Sequence, residues 1–174
     1  LMILGAALLV LPHVTVAIGL TDSIATEIAI FALVGLGFNL LLGYTGLLSF
    51  GHGAFFGLGA YAAALIQIHF LGNGFLVPIV LAVLFAAVLG LVIGFLVLRR
   101  RGVYFALLTL AFTAMFFSIV FRWTSLTGGE SGLGGITRPD LFGIDIDDQL
   151  VFYYLVAAIV FAVAWLVWRL VHSP

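Results

Sequence analysis

FLVPIVLAVLFAAVLGLVIGFLVLRRR, residues 75–101, runs for 24 residues without a charged side chain and then places three arginines in a row. A helix rises about 1.5 Å per residue, so this run is long enough to cross the roughly 30 Å hydrocarbon core of a bilayer. A helix on the surface of a soluble domain would show a polar stripe, and none is present. The stretch therefore reads as a bilayer-crossing helix whose cationic end lies among the headgroups.

Working outward in both directions, the same pattern recurs, with spans near 2–20, 24–42, 47–70, 75–98, 102–121 and 149–170. The first two could lie partly in the interface. The expected fold is all-α: a polytopic integral membrane protein of about six transmembrane helices, forming one transmembrane domain over residues 1–174. Composition agrees, because 65% of the residues are hydrophobic and 7% are charged, against about a quarter charged in soluble domains. Too little polar surface exists to cover a globule.

Several chemistries are excluded by residue type. Cysteine is absent, so neither a disulfide framework nor a thiolate metal site can form. Lysine is absent as well, and a P-loop requires one, so ATP hydrolysis is expected on a separate chain. No catalytic residue, cofactor, metal site or nucleic-acid partner is expected. The opening LMILGAALLVLP lacks the basic region of a signal peptide. With the abrupt close at Val171-His172-Ser173-Pro174, it suggests a fragment of a longer protein.

Orientation follows from arginine placement. Arg99, Arg100 and Arg101 form a short loop and Arg169 closes the last span, so these ends are expected in the cytoplasm. The amino end and the Gly43-Tyr44-Thr45-Gly46 turn then fall inside, and the long 122–148 loop outside the cytoplasm. Asp22, Glu27, Glu130, Asp140, Asp145, Asp147 and Asp148 all gather on or near the outer side, beside only Arg122 and Arg138. The last span reads as bracketed by interfacial aromatics, Phe152, Tyr153 and Tyr154 at one end and Trp165 and Trp168 at the other.

Between helices in lipid, small side chains permit close approach. Ala82, Ala86, Gly90 and Gly94 form one such stripe, Gly102, Ala106, Thr109 and Thr113 another, and Gly35, Asn39 and Gly43 a third. The most developed is Ser49, Gly53, Gly57, Ala60 and Ala64. The surrounding stretch GYTGLLSFGHGAFFGLGAY, residues 43–61, holds six glycines, each costing up to about 1 kcal/mol in a helix interior relative to alanine. Two readings fit: a discontinuous segment inside the bundle or lining a cavity, and a plain helix packed tightly on its neighbours. Asn39, Ser49, His52, Gly53, Gly57, Thr109 and Thr113 are the candidates for a translocation path or helix contact. His52 is an ionisable group in a span and so a functional candidate. With no carboxylate at i±3 or i±4, a neutral ring bonded to backbone is the plainer role. His13 and His69 have still less support, and nothing resembles a metal cluster.

Residues 122–148, RWTSLTGGESGLGGITRPDLFGIDIDD, make a loop of 27 residues, longer than connections usually are without a purpose. No dinucleotide fingerprint appears in it, and Asp145, Asp147 and Asp148 lack the twelve-residue calcium pattern. A solvated acidic lip suited to docking is the expectation.

Three passages together resemble a known family. They are Asn39-Leu40 through Gly43-Tyr44-Thr45-Gly46-Leu47-Leu48-Ser49-Phe50-Gly51-His52-Gly53-Ala54-Phe55 to Gly59-Ala60-Tyr61; then Arg101-Gly102-Val103-Tyr104-Phe105-Ala106-Leu107-Leu108-Thr109-Leu110; and Leu126-Thr127-Gly128-Gly129 with Gly132-Leu133. In order and spacing they are similar to the permease subunits of branched-chain amino-acid ABC importers, the LivM and LivH type, and more closely to the LivM branch. The resemblance implies an incomplete permease domain in the cell membrane. Its partners would be a second permease subunit, two cytoplasmic ATPase subunits and an extracytoplasmic solute-binding protein. Thr127, Gly128, Gly129, Glu130 and Gly132 are the docking candidates for that binding protein. Permeases for urea or short amides are similar in the same passages. In such permeases a phrase like the closing one here leads into the segment that couples to the ATPase. An independent channel or secondary transporter is the other class; it would be expected to carry charged coupling residues near the midplane, where Glu27 is the sole and poorly placed acid. Because only neutral polar groups border the central spans, strong capture of a zwitterion is expected of the binding protein and not of this chain.

Overall fold

The computed structural model describes residues 2–71, 74–99, 102–136, 138 and 146–172. Its helices are α1 (Met2–Ala17), α2 (Asp22–Asn39), α3 (His52–Ile66), α4 (Leu76–Val97), α5 (Val103–Arg122), the single turn α6 (Thr124–Thr127) and α7 (Gln149–Val171). The described residues contain no strand. π-helical turns prolong α2 over Leu40–Tyr44 and α3 over Gln67–Leu71. Among the described residues, five helices are long and apolar enough to cross a membrane: Ser23–Tyr44, His52–Phe70, Leu76–Val97, Val103–Arg122 and Gln149–Val171. The expected first span, 2–20, is helical over Met2–Ala17.

The chain divides into two compact units, one of Leu1–Gly37 with Asp140–Pro174, the other of Phe38–Pro139. In the first, α1 packs on α7. Leu8, Ala25, Ala29, Tyr153, Ala157 and Val160 form its buried cluster, with Leu4, Leu11, Leu33 and Val156 against it. Small Ala25 and Ala29, one turn apart, are fully buried, as close helix approach in lipid requires. Pro12 lies inside α1 and has no N–H, so the Leu8 carbonyl loses its helical donor. The Tyr153 hydroxyl supplies one by donating to that oxygen. Tyr153 is 1% exposed, so it is a core residue and not the interfacial aromatic its position suggests. Trp165 is half-exposed at the other end, and the Arg169 guanidinium lies 5.5 Å from its ring centre, the arrangement of a snorkelling cation. Asp148 caps α7, its carboxylate accepting from the Leu150 N–H at 2.9 Å.

The second unit is built around α3, which packs chiefly on α4 and also on α5. Ile93, Val97 and Phe105 are buried together, with Leu47, Phe55, Leu89, Phe112 and Phe116 against them. The small-residue stripe of α4 approaches α3 at Ala86, where a Cβ built at Gly59 would lie 3.9 Å from its own, whereas Gly90 and Gly94 border a cleft. The remaining face of α4 carries exposed Val83, Leu91 and Phe95. So much outward apolar surface suits hydrocarbon, not water. Pro78 sits in the first turn of α4, where a missing N–H costs no helical bond.

Candidate functional site

The glycine-rich segment is not one continuous helix: a non-helical stretch joins the span that ends at Tyr44 to the one that begins at His52. The third span starts at His52 and not near 47, because the chain between Gly46 and Gly51 leaves the helix. Before the break, backbone bonds return to the end of α2: Gly46 N–H donates to Leu42 O at 3.1 Å and Leu47 N–H to Leu41 O at 3.4 Å. The Thr45 hydroxyl also donates to Leu41 O. Gly46 has φ +67, a left-handed turn that a residue with a Cβ adopts only at a cost. After it, Gly51 O accepts from Ala54 N–H at 3.0 Å and starts α3.

Between these two ends the backbone turns to α5. Phe50 N–H donates to Thr109 Oγ1 at 3.1 Å, and Thr113 Oγ1 lies 3.2 Å from Phe50 O. Thr109 and Thr113 are one helical turn apart, so their hydroxyls stack along α5 at a spacing that serves both polar groups of one residue. Each also contacts its own helix, Thr109 donating to Ala106 O at 2.8 Å and Thr113 lying 2.9 Å from Thr109 O. The Thr113 hydrogen is thus shared between two carbonyls. Ser49, buried at the centre, accepts from Gly51 N–H at 3.1 Å. A Cβ at Gly51 would lie 3.4 Å from both Ser49 Oγ and Thr109 Cβ, so the break rests directly on α5. Non-helical backbone at membrane depth is tolerated only when its polar groups are met in this way or by water.

The structure brings Ser49, Thr109 and Thr113 together and places His52 and Gly53 at the adjoining start of α3. The His52 ring packs edge-on to Phe38, with ring centres 5.6 Å apart. Ser49, His52 and Thr109 border a cleft of about 370 Å³ that is otherwise apolar, lined by Phe55, Gly90 and Phe105 among others. Gly53, Gly57 and Thr113 border a second cleft of about 200 Å³, with Tyr61, Phe116 and Phe117. At 100° per residue the two sets of α3 positions fall on opposing faces of that helix. A Cβ at Gly53 or Gly57 would meet no atom within 4 Å, so these glycines face space and the close approach of α3 falls at Gly59. Asn39 is exposed at the end of α2 and joins neither cleft; a Cβ at Gly43 would lie 3.3 Å from its Oδ1. Phe50 acts through its peptide and Gly51 through its lack of a side chain, which is why neither stands out by residue type. Among the described residues, no group of three His, Cys, Asp or Glu side chains could hold a metal ion.

The other candidates build a turn over the end of α5. Thr127 is buried, and its hydroxyl donates toward Trp123 O at 2.8 Å and Val120 O while accepting from Gly129 N–H at 3.3 Å. Carbonyls left open at the helix terminus are met by this side chain. Gly128 and Gly129 have φ +74 and +58. A Cβ at Gly128 would stand 2.0 Å from Gly132 O, and one at Gly129 would stand 2.8 Å from Thr124 Cγ2. Thr127, Gly128 and Gly129 therefore shape the turn, Gly132 (φ +68) closes it, and Glu130 and Ser131 are its exposed tip. Of the other acids in the expected lip, Asp147 and Asp148 are exposed, and Asp140 and Asp145 lie outside the described residues.

A family model described as "Branched-chain amino acid transport system / permease component" matches residues 20–174. The chain belongs to this family of membrane permeases, and is a multi-pass membrane protein. Among curated relatives it is 36% identical over 88% of its length to the high-affinity branched-chain amino acid transport system permease protein LivM of Escherichia coli strain K12. It is 35% identical over 87% of its length to the LivM protein of Salmonella typhimurium. The matched part spans 41% of each relative. No solved structure matches the chain.

Proposed function

We infer that the chain is part of the membrane-spanning permease subunit of an ABC importer, through which branched-chain amino acids pass after delivery by an extracytoplasmic binding protein. The non-helical stretch at 46–51, whose Ser49 borders the larger cleft, supports this reading together with the family match. Transporters place solute paths where helices are interrupted, because only there does backbone turn toward a cavity. The three hydroxyls nearest the break are already engaged with backbone, which leaves few groups to hold a zwitterion and assigns recognition to the binding protein. A second permease subunit and two ATPase subunits complete the assembly in this proposal. Solute enters beside the 127–132 turn, and Arg99 faces the cytoplasm.

Cells carrying the complete permease with its neighbouring ATPase and binding-protein genes should take up labelled leucine, and deletion of the binding-protein gene should abolish uptake. Undiminished uptake without the binding protein, or uptake of urea in place of leucine, would overturn the assignment. For orientation, Ser131→Cys and Arg99→Cys in a cysteine-free permease discriminate the sides. An impermeant thiol reagent added to intact cells should label position 131 and spare position 99; the opposite pattern inverts the topology.

A further inference from the structure

We propose that Thr109 and Thr113 are positioning residues that hold the Phe50 peptide, so that the start of α3 and the helix α5 travel as one body during transport. The inference rests on the permease reading and adds the mechanical partner of the break. Three observations converge on it. Both backbone polar groups of Phe50 are directed to hydroxyls 59 and 63 residues away in sequence. Gly51, the next residue, sits close enough to Thr109 that even a Cβ would be a tight fit. The bonding also changes allegiance within the break: Gly46 and Leu47 are tied to the end of α2, whereas Phe50 is tied to α5. Relative motion is therefore left to Leu48, between the two sets of bonds.

Loosening the latch has a cost that the low dielectric sets. If α3 parted from α5 at this point, the Phe50 N–H would lose its acceptor beside the apolar cleft that Ser49 and Thr109 border, a penalty larger than the net value of a hydrogen bond in water. Thr109 matters more than Thr113, since Thr109 Oγ1 is the acceptor for Phe50 N–H, whereas Thr113 divides its single hydrogen between two carbonyls. Valine keeps the shape and branching of threonine and removes only the hydroxyl, so it isolates this function.

The test uses the complete importer. Thr109→Val should lower the maximal uptake rate per permease molecule by about five- to tenfold, the loss of roughly one buried hydrogen bond. The concentration of solute giving half-maximal uptake should stay the same, and Thr113→Val should do less. Thr109→Ser, which retains the hydroxyl, should restore the rate. Spin labels at Ala60→Cys in α3 and Ala114→Cys in α5, both exposed positions outside the clefts, read the motion directly. The distance between labels should be the same in the nucleotide-free and ATP-bound assemblies and should broaden with Thr109→Val. A distance that changes between the two states in the otherwise native protein would overturn the proposal. So would wild-type uptake by Thr109→Val with an unbroadened distance. Because that distance is read without solute, it stands apart from any failure of the leucine assay.

Discussion

Gly128→Ala should remove most leucine uptake by the complete importer, while Gly134→Ala a few residues on should leave it unchanged. At position 128 two costs combine. The left-handed conformation, φ +74, costs about 1–2 kcal/mol for a residue with a Cβ. The added carbon would also stand 2.0 Å from the Gly132 carbonyl oxygen, an overlap that only a backbone displacement can relieve. That displacement opens the turn around the Thr127 hydroxyl and exposes the carbonyls of Val120 and Trp123 that it meets. Gly134 has neither feature, since a Cβ there would find open space. Comparing uptake per molecule in the membrane and affinity for the purified binding protein separates loss of docking from loss of protein. Wild-type values for Gly128→Ala on both would show that the turn is dispensable.

Tyr153→Phe should destabilise the purified complete permease by about 1–3 kcal/mol, the cost of leaving a buried acceptor without a donor. The acceptor is the Leu8 carbonyl, orphaned by Pro12 and met by the Tyr153 hydroxyl. A double-mutant cycle tests the cause and not merely the effect. Pro12→Ala gives α1 back the N–H that would pair with Leu8 O, so in that background Tyr153→Phe should cost much less. Equal costs in both backgrounds, measured by thermal or denaturant unfolding in detergent, would show that the hydroxyl does something else.

These two sites also show what residue order reveals and what it hides. The long apolar helices were legible because length and hydropathy are local properties, and α4 is found almost to the residue. The density of glycine between Gly43 and Gly59 marked the segment but left a break and a plain helix equally open. Residue order could not choose, because the partners of Phe50 lie on another helix and act on its peptide group. Tyr153 was misleading for a related reason: an aromatic near a helix end fits an interfacial belt, and only its distance from Leu8 in space marks it as the donor for a proline gap. Gly53 and Gly57 have the spacing of a contact stripe, yet α3 turns them toward a cleft and uses Gly59 for contact. Thr127, Gly128 and Gly129 read as part of a docking loop, and their further role as the cap of α5 rests on contacts with Val120 and Trp123 that residue type does not display.

The bond between Tyr153 and Leu8 joins residues 145 positions apart, and so it orders events on the ribosome. At roughly 5–20 residues per second, on the order of ten seconds or more separates synthesis of α1 from synthesis of its donor. Throughout that interval the Leu8 carbonyl must keep to water, to the headgroup region or to the insertion machinery, because hydrocarbon offers it nothing. The final seating of α1 against α7 therefore becomes one of the last steps in the biogenesis of this part of the protein.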